Sequence, residues 1–193
     1  MKKEVNIPAL KKEEATFEIE GVTSLIVHRF GSKAIKMIQD KQDKKAKNRA
    51  ERDPKSEMED CLHYFSDKKR TGFPVGGFKQ AMVRAGKYLE YEMVNLKGMF
   101  SIVADEDDLV EINGDYELRT DMVRVANGSP DIRHRPEYKN WGVNLRIQYN
   151  ANSISVEQLA QLVNMAGFSC GIGDWRPSSP KRSGDHGVFK IKE

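Results

Sequence analysis

The pattern of apolar and polar residues predicts strands in three parts of the chain. Residues 141–149 alternate without interruption, which predicts a strand with one buried face. Residues 16–30 begin with the same alternation and continue as an apolar run, which predicts a first strand. Residues 96–125 predict further β structure, in which Asn113-Gly114 is typical of a hairpin turn.

Two segments carry apolar residues at helical spacing before the middle of the chain. Residues 57–65 predict a short helix, and residues 78–89 predict a longer one. Pro74 and the Gly76-Gly77 pair precede the longer helix, where they predict a turn.

The C-terminal part predicts one more helix and a last strand. Ser155 and Gln158 form a capping-box pattern at the start of the helix. Gly167 stands where this helix is expected to end, and residues 188–191 predict the strand. The order of elements predicts an α+β fold of the ferredoxin-like (split βαβ) type, an antiparallel sheet with helices on one face.

The length of the chain predicts a single domain over residues 1–193. Residues 40–55 are almost entirely charged and offer no apolar face to a core. We therefore interpret residues 33–72 as a charged helical insertion, whose exposed side is either simply solvated or in contact with nucleic acid. Residues 127–140 are interpreted as a loop.

Composition excludes several classes of protein without identifying a partner. Thirty-two basic and 29 acidic residues leave a net charge of +3, so a nucleic-acid site requires uneven placement of charge. Cys61 and Cys170 form no metal-ligand pattern, which favours a reducing compartment. The sequence has neither a signal-peptide core nor an apolar run of membrane-spanning length. We expect a cytoplasmic protein that uses no metal or other cofactor.

Residues 167–189 form a long glycine-rich segment that carries the main candidate site. Gly171 and Gly173 permit a positive φ or a close approach of the backbone to a ligand. Trp175 offers a flat ring on which a nucleobase can stack. Three cations follow the tryptophan in the sequence: Arg176, Lys181 and Arg182. These features favour a phosphate backbone with a stacked base as the ligand, and an inert surface loop is the alternative.

Two motifs carry a resemblance to a known family. The segment GIGDWRPSSPKRSGDHGVFKI is similar to the glycine-rich signature of the RAMP superfamily, and FPVGGFKQAMVRAG resembles the turn-into-helix segment of several members. These are ferredoxin-like RNA-binding proteins of CRISPR effector complexes. The resemblance implies binding of single-stranded RNA or DNA across the sheet and the glycine-rich loop, with side-by-side assembly along the strand. The chain also resembles proteins of tailed bacteriophages, which implies a phage or prophage origin.

Further candidate residues lie outside the glycine-rich segment. The secondary candidates for contact with nucleic acid are Lys79, Arg84, Arg133, Arg135 and Arg146. Lys79 and Arg84 are expected near the start of a helix, where free N–H groups favour phosphate. Some RAMP relatives cleave RNA with a histidine near the first strand. His28 ends that strand here, and His134 and His186 lie in predicted loops that could converge on it.

No sequence motif joins these histidines to a nucleophile or a metal. We therefore expect a non-catalytic, oligomeric protein that binds single-stranded nucleic acid, with RNA favoured over DNA. Two alternatives stay open. One is a metal-free endoribonuclease of RAMP type, and the other is an anti-defence protein that binds a nucleotide signal.

Overall fold

The computed structural model describes residues 9–29, 39, 52–124, 128–180 and 182–193. Its strands are β1 (Lys12–Gly21), β2 (Leu25–Ile26), β3 (His63–Tyr64), β4 (Thr71–Pro74), β5 (Phe100–Val103), β6 (Leu109–Glu111), β7 (Tyr116–Arg124), β8 (Pro130–Tyr138), β9 (Gly142–Asn150) and β10 (Phe189–Ile191). Its α-helices are α1 (Pro54–Asp60), α2 (Val75–Ala85), α3 (Met93–Met99) and α4 (Val156–Ser169), and a 3-10 turn at Gly86–Leu89 follows α2. None of the helices in these ranges is long and apolar enough to cross a membrane.

The largest sheet has four strands in the order β10-β1-β9-β5, and every neighbouring pair is antiparallel. The alternation predicted over residues 141–149 is confirmed by burial of Trp141, directly before β9, and of Val143, Leu145, Ile147 and Tyr149 within it. Helices α2 and α4 contact each other and belong to the same hydrophobic core as this face of the sheet. The fold is therefore α+β, as the sequence predicted.

Two three-stranded sheets, β2-β8-β7 and β3-β4-β6, complete the described structure. Strands β7 and β8 form a long antiparallel hairpin that pairs Tyr116 with Tyr138 at one end and Arg124 with Pro130 at the other. The prediction of a loop over residues 127–140 is therefore wrong for β8. The charged residues of β8 led to the prediction of a loop, because charged residues are expected to contact water. In the structure several of them form ion pairs within the protein instead.

Two predicted connections between strands are also wrong. The first strand was expected over residues 16–30, but β1 ends at Gly21 and β2 belongs to a different sheet. Asn113-Gly114 joins β6 to β7, which lie in different sheets and do not pair, so it is not a hairpin turn. Asn113 instead forms an isolated bridge with Gly142.

Helix α2 begins at Val75, directly after β4, so the turn predicted at Gly76-Gly77 is wrong. Both glycines lie in the first turn of the helix. Gly77 allows close packing there, because a Cβ on it would lie 2.4 Å from the ring of Phe73. The predicted apolar face is confirmed by the burial of Phe78 and other residues at helical spacing.

Helix α4 starts as predicted and ends later than predicted. Ser155 and Gln158 form the capping box in both directions. Gly167 does not end the helix, which continues to Ser169. A Cβ at residue 167 would lie 1.9 Å from the carbonyl oxygen of Phe189, so this glycine is needed where α4 packs against β10.

Much of the predicted insertion at 33–72 lies outside the described residues, including most of the charged block at 40–55. The described part, residues 52–72, contains α1, β3 and the start of β4, so it includes strands as well as a helix. The helix predicted over 57–65 ends at Asp60 because β3 begins three residues later. Residues 96–99, predicted as β structure, belong to α3.

Candidate nucleic-acid interface

The glycine-rich segment lies between α4 and β10 and folds back on the protein. Gly171 and Gly173 have φ values of +61° and +78°, which confirms the expectation of positive φ at both. A Cβ on Gly173 would lie 2.5 Å from the carbonyl oxygen of Ile26, and one on Gly171 would lie 2.9 Å from Cδ of Pro177. The close approach that these glycines allow is therefore an approach to their own chain.

Trp175 packs on charged groups of the β7–β8 hairpin. Its backbone φ is +56°, a left-handed conformation that bulky residues rarely adopt. The guanidinium carbons of Arg135 and Arg119 lie 4.5 and 5.2 Å from the ring centroid, and the ring of His186 lies 5.8 Å away. Cations of the protein therefore already occupy part of the ring, and a base would meet only the remainder.

Arg135 is a buried cation that joins the loop to the hairpin. Its side chain is 2% exposed, and it donates hydrogen bonds of 2.7 Å to Asp174 and to Asp121. Burial alone would raise the pKa of Asp174, but the hydrogen bonds and charges of His28 and Arg135 outweigh it and lower that pKa. Burial likewise raises the pKa of Asp121, and hydrogen bonds from Arg119 and Arg135 lower it further than burial raises it.

This network continues along the hairpin to the far end of the loop. Arg119 donates a 2.8 Å hydrogen bond to Glu137, and Ser24 Oγ donates one of 2.6 Å to the same carboxylate. Nδ1 of His186 lies 3.0 Å from Ser24 Oγ. Burial raises the pKa of Glu137, but Ser24 and Arg119 lower it below its ordinary value. The loop is therefore held at one end by the charge-assisted hydrogen bonds of Asp174 and at the other by the contact between His186 and Ser24.

A cleft of about 220 Å³ opens on one side of the loop, between the loop and α2. Its polar lining is His28, His63, Gln80, Arg84, Asp174, Arg176 and Ser178. Arg176 is held by a 2.7 Å hydrogen bond from its Nη1 to the carbonyl oxygen of Gly173. Two guanidinium groups, one from α2 and one from the loop, therefore line the same cleft.

A shallower groove of about 430 Å³ lies beside the loop and includes Trp175, Arg182 and His186 in its lining. Asp174 and Arg176 line the cleft, whereas Trp175 between them lines the groove. The loop is thus a ridge between two depressions, each of which contains an arginine. Lys181, the remaining cation predicted for the loop, lies outside the described residues.

Helix α2 places its two predicted cations differently from the prediction. Arg84 is in the last turn of the helix, not near its start, and reaches the cleft from there. Lys79 donates hydrogen bonds to the carbonyl oxygens of Lys97 and Phe100 and lies 3.7 Å from the centroid of the Phe100 ring. Burial lowers the pKa of Lys79. This half-buried lysine is therefore bonded to the backbone of its own chain and lines neither depression.

Two other secondary candidates, Arg133 and Arg146, also line neither depression. Arg133 lies on β8, where it is opposite Asp121 in the hairpin register. Arg146 projects from the open face of the largest sheet, where it donates 3.0 Å hydrogen bonds to Asp105 and to the carbonyl oxygen of Ala104. The structure thus brings Arg84, Arg176 and Arg182 to the loop and leaves these two residues elsewhere.

The open face of the largest sheet carries glutamates along β1. Glu14, Glu18 and Glu20 alternate with the buried residues of this strand. Lys190 and Lys192 form ion pairs with Glu20 and Glu18. The carboxylates of Glu18 and Glu20 are therefore already paired with cations, and this face carries charges of both signs.

The predicted convergence of three histidines does not occur. His28 lies in the cleft, with Nδ1 3.0 Å from Oδ2 of Asp174. His134 lies on β8 and contacts Thr120 through a 2.9 Å interaction of its Nδ1, whereas His186 lines the groove. His63, which the sequence did not single out, lines the cleft with His28. Burial and the charge of Arg29 lower the pKa of His63.

Within the described residues, no group of three or more His, Cys, Asp and Glu side chains is placed to hold a metal ion. No model of a known protein family matches the sequence, and no curated protein sequence matches it either. The function proposed below therefore rests on the geometry of the loop and its two depressions.

Proposed function

We propose that this protein binds single-stranded nucleic acid, RNA in preference to DNA, at the ridge formed by its glycine-rich loop, and does not cleave it. The observation that carries the proposal is the placement of Arg84 and Arg176 in one cleft, next to a groove with Trp175 and Arg182. A strand crossing the ridge would set phosphates against the guanidinium groups. One base would contact the accessible part of the tryptophan ring.

The proposal includes a ferredoxin-like, RAMP-type fold for the largest sheet and its two covering helices. Strands β1 and β5 both run antiparallel to β9, so they are parallel to each other with β9 between them. Helix α2 lies on the connection between β1 and β5, and α4 lies between β9 and β10. This arrangement is that of a split βαβ unit followed by a second helix and strand, and it supports the resemblance of the sequence motifs.

The first test measures binding of the full chain to a labelled single-stranded RNA by fluorescence anisotropy. The Arg84→Ala/Arg176→Ala variant is expected to bind roughly tenfold or more weakly for each guanidinium group removed, because a hydrogen bond to a charged group contributes about 1.5–3 kcal/mol. Arg146→Ala is the matched control, since it removes an arginine that lines neither depression. Equal binding by the double variant and the wild type would remove the cleft from the site.

The same assay identifies the preferred nucleic acid. Single-stranded DNA and duplex DNA of the same sequence compete with the labelled RNA, and we expect unlabelled RNA to compete best and duplex worst. A free mononucleotide or dinucleotide that displaces the strand at equal concentration would favour the nucleotide-signal alternative.

A metal-free ribonuclease is the second candidate function, because His28 and Asp174 form a pair in the cleft. A carboxylate that accepts from Nδ1 leaves Nε2 as the basic nitrogen of the neutral ring. That nitrogen could take the proton of a ribose 2′-OH, whose oxygen then attacks the adjacent phosphorus, while the 5′-oxygen leaves and takes up a proton from water. A cyclic 2′,3′-phosphate and a 5′-hydroxyl end would result.

Incubation of end-labelled RNA with the protein in a chelator, followed by a denaturing gel, separates the two functions. Under the proposed function the RNA stays intact. Fragments with cyclic phosphate ends that disappear in His28→Ala and Asp174→Asn, but persist in His134→Ala, would establish the ribonuclease instead.

A further inference from the structure

The two edges of the β7–β8 hairpin differ in how their backbone groups are satisfied. On the outer side of β8, the carbonyl oxygens of alternate residues accept hydrogen bonds from elsewhere in the chain: Ile132 from Arg52, His134 from Cys61 and Pro136 from Val27. Strand β2 pairs with the same side of β8 further along. This edge is therefore closed.

Strand β7 is at the other edge of its sheet. In an antiparallel pair, two opposite residues either bond to each other through their backbones or both direct their backbone groups outward. Ile132, His134 and Pro136 direct theirs away from β7. The β7 residues opposite them therefore direct their N–H and C=O groups away from β8. Those residues are Met122, Thr120 and Leu118. No described residue outside the hairpin forms a hydrogen bond with the backbone of β7, so this nine-residue strand is open to pairing with another chain.

The sequence of β7 is complementary to itself when it is reversed about Thr120. Antiparallel pairing of two copies around that residue sets Leu118 opposite Met122 and Arg119 opposite Asp121. Tyr116 then faces Arg124, which is a favourable cation–π combination. The remaining pair sets Glu117 opposite Val123, and these two side chains do not complement each other. A register shifted by one residue would lose the apolar and the charged matches together.

The backbone geometry fits the same register. Leu118, Thr120 and Met122 direct their N–H and C=O groups outward, so the pairs formed around Thr120 exchange about six hydrogen bonds. Arg119 and Asp121 fall at the positions between them, where opposed side chains are closest. Leu118 and Met122 are 41% and 78% exposed in the single chain, and pairing would bury part of both.

We propose that a second copy of this chain pairs with β7 in antiparallel fashion, giving a two-fold dimer with a continuous sheet of the order β2-β8-β7-β7-β8-β2. The two-fold axis is perpendicular to this sheet, so the faces that carry Arg119 and Asp121 lie on one side in both copies. The two glycine-rich loops, which contact those faces, then lie on the same side of the dimer. This interface does not depend on the proposed binding of nucleic acid.

The test measures the mass of the nuclease-treated full chain by light scattering after size exclusion. The wild type is expected at twice the chain mass of 22.0 kDa. Met122→Glu and Leu118→Lys are each expected to be monomeric, and the Leu118→Lys/Met122→Glu double variant is expected to dimerise again, because lysine then faces glutamate. Val94→Glu is the matched control, since Val94 is 76% exposed on α3, and it is expected to remain dimeric.

Hydrogen exchange gives a second readout that loss of folding would not mimic. The amides of Leu118, Thr120 and Met122 are expected to be protected in the wild type and to exchange quickly in Met122→Glu, while the β9 amides stay protected in both. A monomeric wild type at its highest soluble concentration would overturn the proposal. So would an assembly whose mass is unchanged by Met122→Glu, or a double variant that stays monomeric.

Discussion

Replacing Arg135 with methionine measures how strongly one buried guanidinium holds the glycine-rich loop to the β7–β8 hairpin. Methionine fills similar space without a charge, so the change removes the hydrogen bonds to Asp121 and Asp174 and the interaction with the ring of Trp175. Asp121 keeps Arg119 as a partner, and Asp174 keeps His28.

The expected magnitude follows from two opposing effects. Removing one partner of a buried ion pair destabilises a protein by about 3–5 kcal/mol, and here Asp121 and Asp174 each lose one cationic partner. The Nε atom of Arg135 is buried and has no hydrogen-bond partner in the described part of the chain, and its removal regains on the order of 1 kcal/mol. We therefore expect the free energy of unfolding to fall by about 2–4 kcal/mol.

Urea unfolding followed by far-UV circular dichroism provides the measurement. With a slope of about 2 kcal/mol per molar urea, the midpoint is expected to fall by roughly 1–2 M. Arg70→Met is the matched control: Arg70 also contacts three carboxylates, of Asp67, Glu106 and Glu111, but its side chain is 46% exposed. Water replaces such interactions, so the control is expected to lose only a small fraction of that stability.

A double-mutant cycle separates the ion pair from general packing. In an Asp121→Asn background the effect of Arg135→Met is expected to be smaller, because one of the two carboxylates that lose a cationic partner then carries no charge. A loss of stability no larger than that of Arg70→Met would refute the reasoning. An unchanged effect in the Asp121→Asn background would show that the ion pair with Asp121 does not contribute to the loss.

Two further predictions concern the pH dependence of stability and the backbone of the loop. Asp121 and Asp174 have lowered pKa values in the folded protein, so their stabilisation is present above the unfolded pKa of about 3.9 and is lost as pH falls through the lower folded values. Thermal unfolding at stepwise lower pH is therefore expected to show falling stability below about pH 5, and stability that rises on acidification would contradict this. Gly173→Ala is expected to destabilise by about 1–3 kcal/mol because of its positive φ and the nearby carbonyl of Ile26, whereas Gly76→Ala, whose Cβ meets nothing within 4 Å, is expected to stabilise by about 0.5–1 kcal/mol. Equal melting temperatures for the two alanine variants would contradict the second prediction.

The sequence predicted those elements whose signals are local or strictly periodic. Strand β9 was found because its buried face needs an apolar residue at every second position, and the start of α4 was found because the capping box is complete within four residues. The prediction that α4 ends at Gly167 was wrong. A glycine near the end of a helix is a local pattern, but the glycine is required here because α4 packs against Phe189, 22 positions later.

Strand β8 was missed because most of its residues are polar or charged and one of the charged residues, Arg135, is buried. From the sequence, Arg135 would be expected on the surface. Its burial is compensated by ion pairs with Asp121 and Asp174 and by contact with the ring of Trp175, and these three residues come from other elements. The hairpin predicted at Asn113-Gly114 failed for a similar reason, since strand pairing depends on distant parts of the chain that a turn motif does not specify.

The candidate site was predicted in part. The positive φ of the loop glycines and the presence of arginines beside them follow from the sequence. The cleft itself could not be predicted, because His28, His63, Arg84 and Arg176 come from four separate segments that only the fold brings together. The inward packing of Trp175 was likewise inaccessible, since its partners lie on a hairpin that the sequence did not reveal.

The salt dependence of RNA binding tests the central claim most directly. For phosphates bound by Arg84, Arg176 and Arg182, the plot of log affinity against log salt concentration is expected to have a slope of about −2, since each phosphate neutralised on a single strand contributes about −0.7. Arg84→Ala/Arg176→Ala is expected to reduce the slope to about −0.7, while Arg146→Ala leaves it unchanged. A wild-type protein whose RNA affinity does not vary with salt, or a double variant with the wild-type slope, would contradict the account.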